Sequence, residues 1–246
     1  MRIGVVSDIH GNCVALDAAL ADMRKAGVKK VICLGDVIQG GPQPAETVQR
    51  LRELACPVVM GNADAWLLDE KGDTKEETTT PQREVRSWTL SKLASDDLSF
   101  IRTFRSTMTV PLGSGTRLFC FHGSPRSYDD VLLPETPNRT WERLLGAADA
   151  DLMAGGHTHA QQLRRVGRAL FFNPGSIGLV YDVRPRRPQI RAYPWAEYAF
   201  LSQERGRLGL EFRRAPYEVD LLARAVHKSG RPYGDTLVAE YKLRDE

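Results

Sequence analysis

No apolar run in this 246-residue chain approaches the roughly 18 residues that a membrane-crossing helix needs. The opening Met1-Arg2-Ile3-Gly4-Val5-Val6 goes straight into a strand-like run with no signal-peptide layout, so a cytoplasmic protein is expected. Cysteine is scarce. Cys13, Cys33, Cys56 and Cys120 make no CxxC pair, and Cys33 and Cys120 sit inside apolar runs, so small buried thiols are expected rather than disulfides or metal ligands. A strong net charge is also missing: +3 does not by itself imply a nucleic-acid partner. The charge is uneven, because residues after Ala160 hold 14 Arg and 2 Lys against 10 acidic side chains. Such a basic C-terminal part suits attraction of an anionic substrate. Arginine without a clear aromatic stacking series supports nucleic-acid binding only weakly. No internal repeat is present, and the only low-complexity stretch is the run Thr78-Thr79-Thr80.

What is present is ordinary globular composition, 42% hydrophobic and 26% charged, enough for one large core. A single domain over residues 1–246 is expected, with residues 183–246 as a C-terminal extension packing on it. Arg2 to Ser7 reads as a buried strand, and Leu16, Ala19, Leu20 and Met23 mark one face of a helix that Asn12 can cap. Lys30 to Leu34 is a second strand and Pro44 opens a second helix. Pro57 to Met60 is a third strand. This alternation is that of βαβ units, so a mainly parallel sheet is expected here. Residues 69–82, polar and without period, read as an exposed loop or flap. Two helical patterns follow, then hairpin signals at Met108 to Phe121 and Gln162 to Phe172. Val183 to Pro188 reads as a loop or linker, Tyr198 to Arg213 as a final antiparallel pair, and Asp220 to His227 as a terminal helix.

The informative residues lie after the strands, where ligands bind in open α/β sheets. Five loops carry metal-binding side chains: Asp8 and His10, Asp36, Asn62, His122, and finally His157 and His159 in Gly155-Gly156-His157-Thr158-His159. In extended backbone the two rings at i and i+2 point to one side. Four of the five histidines belong to this set; His227 is outside it. Each position has an ordinary alternative, helix capping for Asp8 and Asp36, a turn for Asn62, a hydrogen-bonded strand end for His122. Carboxylate and imidazole together suit Mn, Fe, Ni, Co or Zn, and the lack of a thiolate set argues against a structural zinc site.

Asp8-Ile9-His10, Gly35-Asp36 with Gly40-Gly41-Pro42, Gly61-Asn62, His122-Gly123 and Gly156-His157-Thr158-His159 resemble the ordered motifs of the calcineurin-like metallophosphoesterase superfamily. Ser7-Asp8-Ile9-His10-Gly11-Asn12 and Asn173-Pro174-Gly175-Ser176 further resemble its small bacterial and archaeal phosphodiesterase branch. The resemblance runs from about Arg2 to Ser176. It implies an α/β fold, a four-layer α/β/β/α sandwich with mixed sheets, and two divalent metal ions, Mn foremost and Fe, Ni, Co or Zn as alternatives. Carried over position by position, Asp8, His10 and His159 hold one ion and Asn62, His122 and His157 the other, with Asp36 bridging ions about 3.5 to 4 Å apart. A metal-bridging hydroxide then attacks phosphorus in line with the departing alcohol, in a phosphodiesterase more than a monoesterase. The partner implied is a small phosphate ester, nucleotide-derived in one version. Asn12 and Arg126 are candidates for phosphate contact. Many relatives carry Gly-Asn-His, whose histidine helps the leaving group; here that position is Ala63. Asp64 follows as a catalytic candidate that could orient water, helix capping being its alternative. The Ala63 departure implies a preference for esters whose leaving group needs little protonation. The competing reading is a non-catalytic protein-binding module that keeps the fold.

Overall fold

The computed structural model describes residues 2–69, 78–113, 115–181, 191–204 and 207–241. The first half runs β1 (Arg2–Val6), α1 (Cys13–Lys25), β2 (Lys30–Cys33), α2 (Pro44–Glu53), α3 (Asn62–Leu68), α4 (Thr80–Ser91) and α5 (Ser95–Ile101). The second sheet then begins with β3 (Met108–Gly113) and β4 (Thr116–Cys120), followed by α6 (Asn138–Leu145), β5 (Leu152–Ala154), β6 (Gln162–Val166) and β7 (Ala169–Asn173). A short pair, β8 (Val180–Tyr181) and β9 (Ala192–Tyr193), leads to β10 (Trp195–Glu204), β11 (Arg207–Pro216), α7 (Val219–Ser229) and α8 (Gly234–Glu240).

The sheets are ordered β11-β10-β1-β2 and β3-β4-β5-β7-β6. They face each other, and the side-chain alternation of the strands builds the layers. In β1, Ile3 and Val5 enter the core between the sheets, where they meet Leu118, Cys120, Leu152 and Phe172. Val6 points the other way, into the core under α1 and α2 with Leu16, Leu20, Met23, Val48 and Leu51. A Cβ on Gly4 would lie 2.8 Å from Met23 Sδ, so the glycine lets α1 seat closely on the sheet. On the outer face of the second sheet, Trp141, Leu144 and Leu145 of α6 cover Met153 and Phe171. Each such fully buried side chain contributes about 1.5 to 3 kcal/mol. Three cores between four layers give the α/β/β/α sandwich that the motifs implied.

Several local readings change. β1 is parallel to β2 as expected, but its other neighbour is the antiparallel β10, so the sheet is mixed rather than mainly parallel. The distant segment from residue 191 onward thereby supplies two of the four strands of that sheet. Pro57 to Met60 forms only the isolated bridges Cys33 to Val58 and Val59 to Arg105, because the chain turns at once into α3. Of the supposed loop at 69–82, residues 70–77 lie outside the described residues, while Thr80 to Gln82 already form the first turn of α4. Thr79 accepts the Gln82 amide and Gln82 Oε1 accepts that of Thr79, a capping box hidden in the threonine run. The linker at 183–188 also falls outside the described residues. The short helix α8 was not anticipated. All four cysteines are buried and free, as expected. No helix among the described residues is long and apolar enough to cross a membrane.

Candidate metal centre

The seven predicted side chains converge on one edge of the sandwich, each held just beyond a strand or at the start of α3. Asp8, His10, Asp36, His157 and His159 all have positive φ, between 49° and 67°. Non-glycine residues rarely adopt this left-handed conformation, and where they do the surrounding contacts must enforce it. Here loops hold loops: the Asp8 amide donates to Gly35 O at 2.9 Å, and that of His10 to Asp36 O at 2.9 Å. The approach is close enough to need glycine. A Cβ on Gly61 would lie 2.1 Å from Asp36 Oδ1, and one on Gly156 2.0 Å from Ser7 Oγ.

Asn173, fully buried, ties down the histidine loop by donating from Nδ2 to Gly156 O at 2.7 Å and Thr158 Oγ1 at 3.1 Å. Ser176 Oγ donates to Asp8 O at 2.8 Å. The Asn173-Pro174-Gly175-Ser176 motif is therefore a clamp behind the site.

Two triads result, Asp8 with His10 and His159, and Asp36 with His122 and His157; within each, one donor atom per residue lies within 4.8 Å of the others. Asp36 Oδ2 lies between them, 3.4 Å from His122 Nε2 and 3.8 Å from His10 Nε2. Asn62 Oδ1 is 3.0 Å from both His122 Nε2 and His157 Nδ1. The tautomers follow from the partners on the far side of each ring. Nδ1 of His10, His122 and His159 faces the carbonyls of Gln39, Leu34 and Leu179 at 2.8, 2.7 and 2.6 Å. A carbonyl only accepts, so Nδ1 carries the hydrogen and Nε2 is the nitrogen turned to the centre.

This arrangement fits divalent cations and fits their absence badly. His10 Nε2 and His159 Nε2 face each other at 3.1 Å, and the buried Asp8 Oδ1, 3.3 Å from His159 Nε2, makes no well-formed hydrogen bond among the described residues. Without an ion, protons must take up the charge. Burial opposes the His122 cation, but Asp36 and then Asp8 outweigh it and hold its pKa up to about 10. His159 is raised in the same way, burial again opposing and Asp8 prevailing. His10 and His157 are lowered, first by burial and then by the neighbouring imidazoles His159 and His122. Both carboxylates stay ionised: burial resists this, while His159 for Asp8 and His122 for Asp36 overcome it. In each triad a carboxylate thus raises the pKa of one imidazole, as it would favour a bound cation.

The other predicted residues lie elsewhere in the network. Asp64 is fully buried, and its carboxylate accepts the amides of Val37 at 2.9 Å and Gly61 at 3.3 Å. Burial, with the nearby Asp36 charge, pushes its carboxyl up to about 7. It caps α3 and braces the Asp36 loop, the alternative to orienting water. Asn12 caps α1, accepting Ala15 N at 3.0 Å, while its Nδ2 donates to Gly178 O at 3.1 Å. Arg126 is exposed and lines a separate recess with Thr109, Phe119 and Leu144. The structure does not bring Arg126 to the centre, and it commits the Asn12 amide to backbone.

A cleft of about 610 Å³ opens over the triads, walled by Trp66, Val85, Tyr181 and Tyr233 and by the polar Gln39 and Arg231. Gln39 and Arg231 escaped sequence reading. Gln39 had a weak signal in its place beside Gly40-Gly41-Pro42; Arg231 had none beyond the general basicity of the C-terminal part.

Two carboxylate–imidazole triads at one edge of a two-sheet sandwich are candidate metal-binding groups. The chain belongs to the calcineurin-like phosphoesterase superfamily, whose domain model matches residues 1–190. It is 26% identical over 189 residues to the phosphodiesterase YfcE of Escherichia coli, covering 73% of this chain and 80% of that protein. An uncharacterized protein of Methanocaldococcus jannaschii is 28% identical over 182 residues, covering 73% of this chain and 71% of its own. Among solved structures, a metallophosphoesterase from Sphaerobacter thermophilus superposes with a TM-score of 0.71 at 26% identity, over 98% of this chain and 97% of that one. A hypothetical protein from Pyrococcus horikoshii shares the fold at a TM-score of 0.79 and 20% identity, with the same coverage.

Proposed function

We propose that the protein is a two-metal phosphodiesterase acting on a small phosphate ester, with manganese as the preferred ion. The observation that carries this reading is Asp36 Oδ2, buried between the two triads and within 3.8 Å of a histidine from each. Asp8, His10 and His159 would hold one ion, Asn62, His122 and His157 the other, and Asp36 both. Carboxylate oxygens, one amide oxygen and neutral imidazoles suit Mn²⁺ and its neighbours in the first transition row. Bound ions of this kind act as Lewis acids toward phosphoryl oxygens and lower the pKa of coordinated water.

The remaining chemistry belongs to the chain. The carbonyls of Gln39, Leu34 and Leu179 fix three imidazoles in the tautomer that presents Nε2, so no reorganisation is needed when charge develops. Trp66, Val85 and Tyr181 give the cleft apolar walls that strengthen electrostatics inside it. At the leaving-group position Ala63 has no proton to give, and the Asp64 carboxyl is turned to backbone amides. An acidic alcohol therefore leaves most readily. The diester preference draws on the short motifs of the phosphodiesterase branch and on the kinship to the E. coli phosphodiesterase.

A matrix of metals against monoesters, linear diesters and cyclic nucleotides tests the proposal. Highest turnover of linear aryl diesters with Mn²⁺, abolished by chelation, is expected. Equal or greater turnover of monoesters, or turnover that survives chelation, contradicts it.

A further inference from the structure

The turn between α7 and α8 reaches back over the metal centre, from outside the residues matched by the family model. It places Arg231 on the wall shared by two spaces, the main cleft and a neighbouring cavity of about 230 Å³. Arg231 Nε donates to Gly40 O, and Nη1 donates to the carbonyls of Pro232 at 2.7 Å and Tyr233 at 3.2 Å. These neutral acceptors fix the guanidinium without neutralising it, and no carboxylate among the described residues forms a salt bridge with it. Burial pushes its pKa down, with Glu240 partly offsetting that from a distance. A half-buried guanidinium held by carbonyls keeps Nη2 for an anion.

Gln39 lines the same cleft, only 8% exposed, with Oε1 buried and without a hydrogen-bond partner among the described residues. Its backbone carbonyl is the one that orients His10. The pair therefore adjoins the metal ligands without belonging to them. A buried amide oxygen without a partner is costly unless something else completes it. Tyr233 braces the turn from the opposite side, holding a positive φ of 57° while its hydroxyl donates to Glu84 Oε2 at 2.6 Å across to α4.

We propose that Arg231, with Gln39, forms a second anchoring point that binds an anionic group on one alcohol arm of the substrate, so that the preferred substrate is a phosphodiester bearing a further phosphate or carboxylate. This rests on the phosphodiesterase reading above. The cleft then holds the scissile phosphoryl group at the metal ligands and the second anion at Arg231, and Gln39 Oε1 accepts a hydroxyl of the same arm. The C-terminal turn thus selects the substrate for a centre built by the family domain.

The test uses the metal-loaded full chain and four p-nitrophenyl diesters that differ only in the second arm: ethyl, 2-phosphoethyl, 2-carboxyethyl and 2-aminoethyl. The wild type is expected to favour one or both anionic arms over ethyl by at least about tenfold in kcat/KM, the usual scale for a charged hydrogen bond. The 2-phosphoethyl and 2-carboxyethyl arms distinguish the two anion types. Arg231→Glu is expected to reverse the order toward the aminoethyl arm, and Arg231→Gln to erase the preference without reversing it. Calorimetric binding of ethylene glycol bisphosphate against ethyl phosphate supplies a readout independent of turnover, with the same loss of preference in both variants. Equal kcat/KM for ethyl and anionic arms in the wild type overturns the inference. So does a uniform fall across all four arms in the Arg231 variants, which marks a structural role. If the wild type hydrolyses no diester yet binds the bisphosphate through Arg231, the phosphodiesterase reading fails and the anion site stands.

Discussion

Removing Asp36 perturbs the centre at the carboxylate that lies between the two triads, close to a histidine of each. Its Oδ1 accepts the Ala63 amide at 2.8 Å, and its Oδ2 faces His122 and His10. In Asp36→Ala the Ala63 N–H loses its acceptor, at a cost of about 1 to 3 kcal/mol. The fully buried His122 loses its counter-ion, and breaking a buried pair from one side costs about 3 to 5 kcal/mol. The two share one residue and do not simply add, but a loss of roughly 4 kcal/mol is large against a typical total of about 5 to 15 kcal/mol. Asp36→Asn is the cleaner variant, since it keeps an oxygen for Ala63 and removes the charge. Loss of that charge is expected to weaken both ions by about 100-fold or more, equivalent to about 2.7 kcal/mol each. Asp8→Asn should weaken mainly one. Elemental analysis after equilibrium dialysis against Mn²⁺, paired with calorimetric titration, reads the two sites separately. Two ions retained at wild-type affinity by Asp36→Asn would refute the shared-ligand reasoning.

Three further outcomes are expected. Asn173→Ala removes the donors to Gly156 O and Thr158 Oγ1 without touching a ligand. It should cost about 1 to 3 kcal/mol in urea unfolding and about 10- to 100-fold in metal affinity; unchanged affinity would show that the histidine loop does not need its clamp. In the metal-free protein, His122 is raised from 6.5 to about 10, so its contribution to stability is complete below about 6.5 and fades as pH rises toward 10. Asp36 is lowered from 3.8, so its contribution is present above that value and fades in acid. Because an ion displaces the His122 proton, metal affinity should rise between pH 6 and 9 with net proton release, seen by calorimetry in buffers of different protonation enthalpy; pH-independent affinity would contradict the pairing. Ala63→His, at unchanged metal content, should raise kcat for alkyl esters more than for aryl esters, and an equal effect on both would dismiss leaving-group protonation as the limitation.

The candidate metal set was legible because its residues are polar side chains that follow strand-like runs, a signal that apolar runs and their terminating loops carry in one dimension. The layers were legible through the superfamily motifs. What sequence could not show was partnering across distance. Nothing in Trp195 to Glu204 says that it lies against β1 rather than at an edge, since a strand buried on both faces reads the same wherever it pairs. Asp64 and Asn12 are of residue types that serve equally as caps and as catalytic groups, and only the positions of the Val37 and Ala15 amides decide between these. Arg126 sits two residues beyond a motif glycine–serine pair, but the turn directs it away from the cleft. Arg231 is one of many C-terminal arginines, and what distinguishes it is the Gly40 carbonyl, 191 positions away.

The central claim is that seven side chains from five loops hold two ions that share Asp36. An anomalous difference map from a crystal of the Mn²⁺-loaded protein tests it most directly. Two peaks about 3.5 to 4 Å apart, with Asp36 between them and His157 and His159 on different ions, are predicted. A single peak ligated by both His157 and His159, or two peaks with Asp36 on neither, would contradict it.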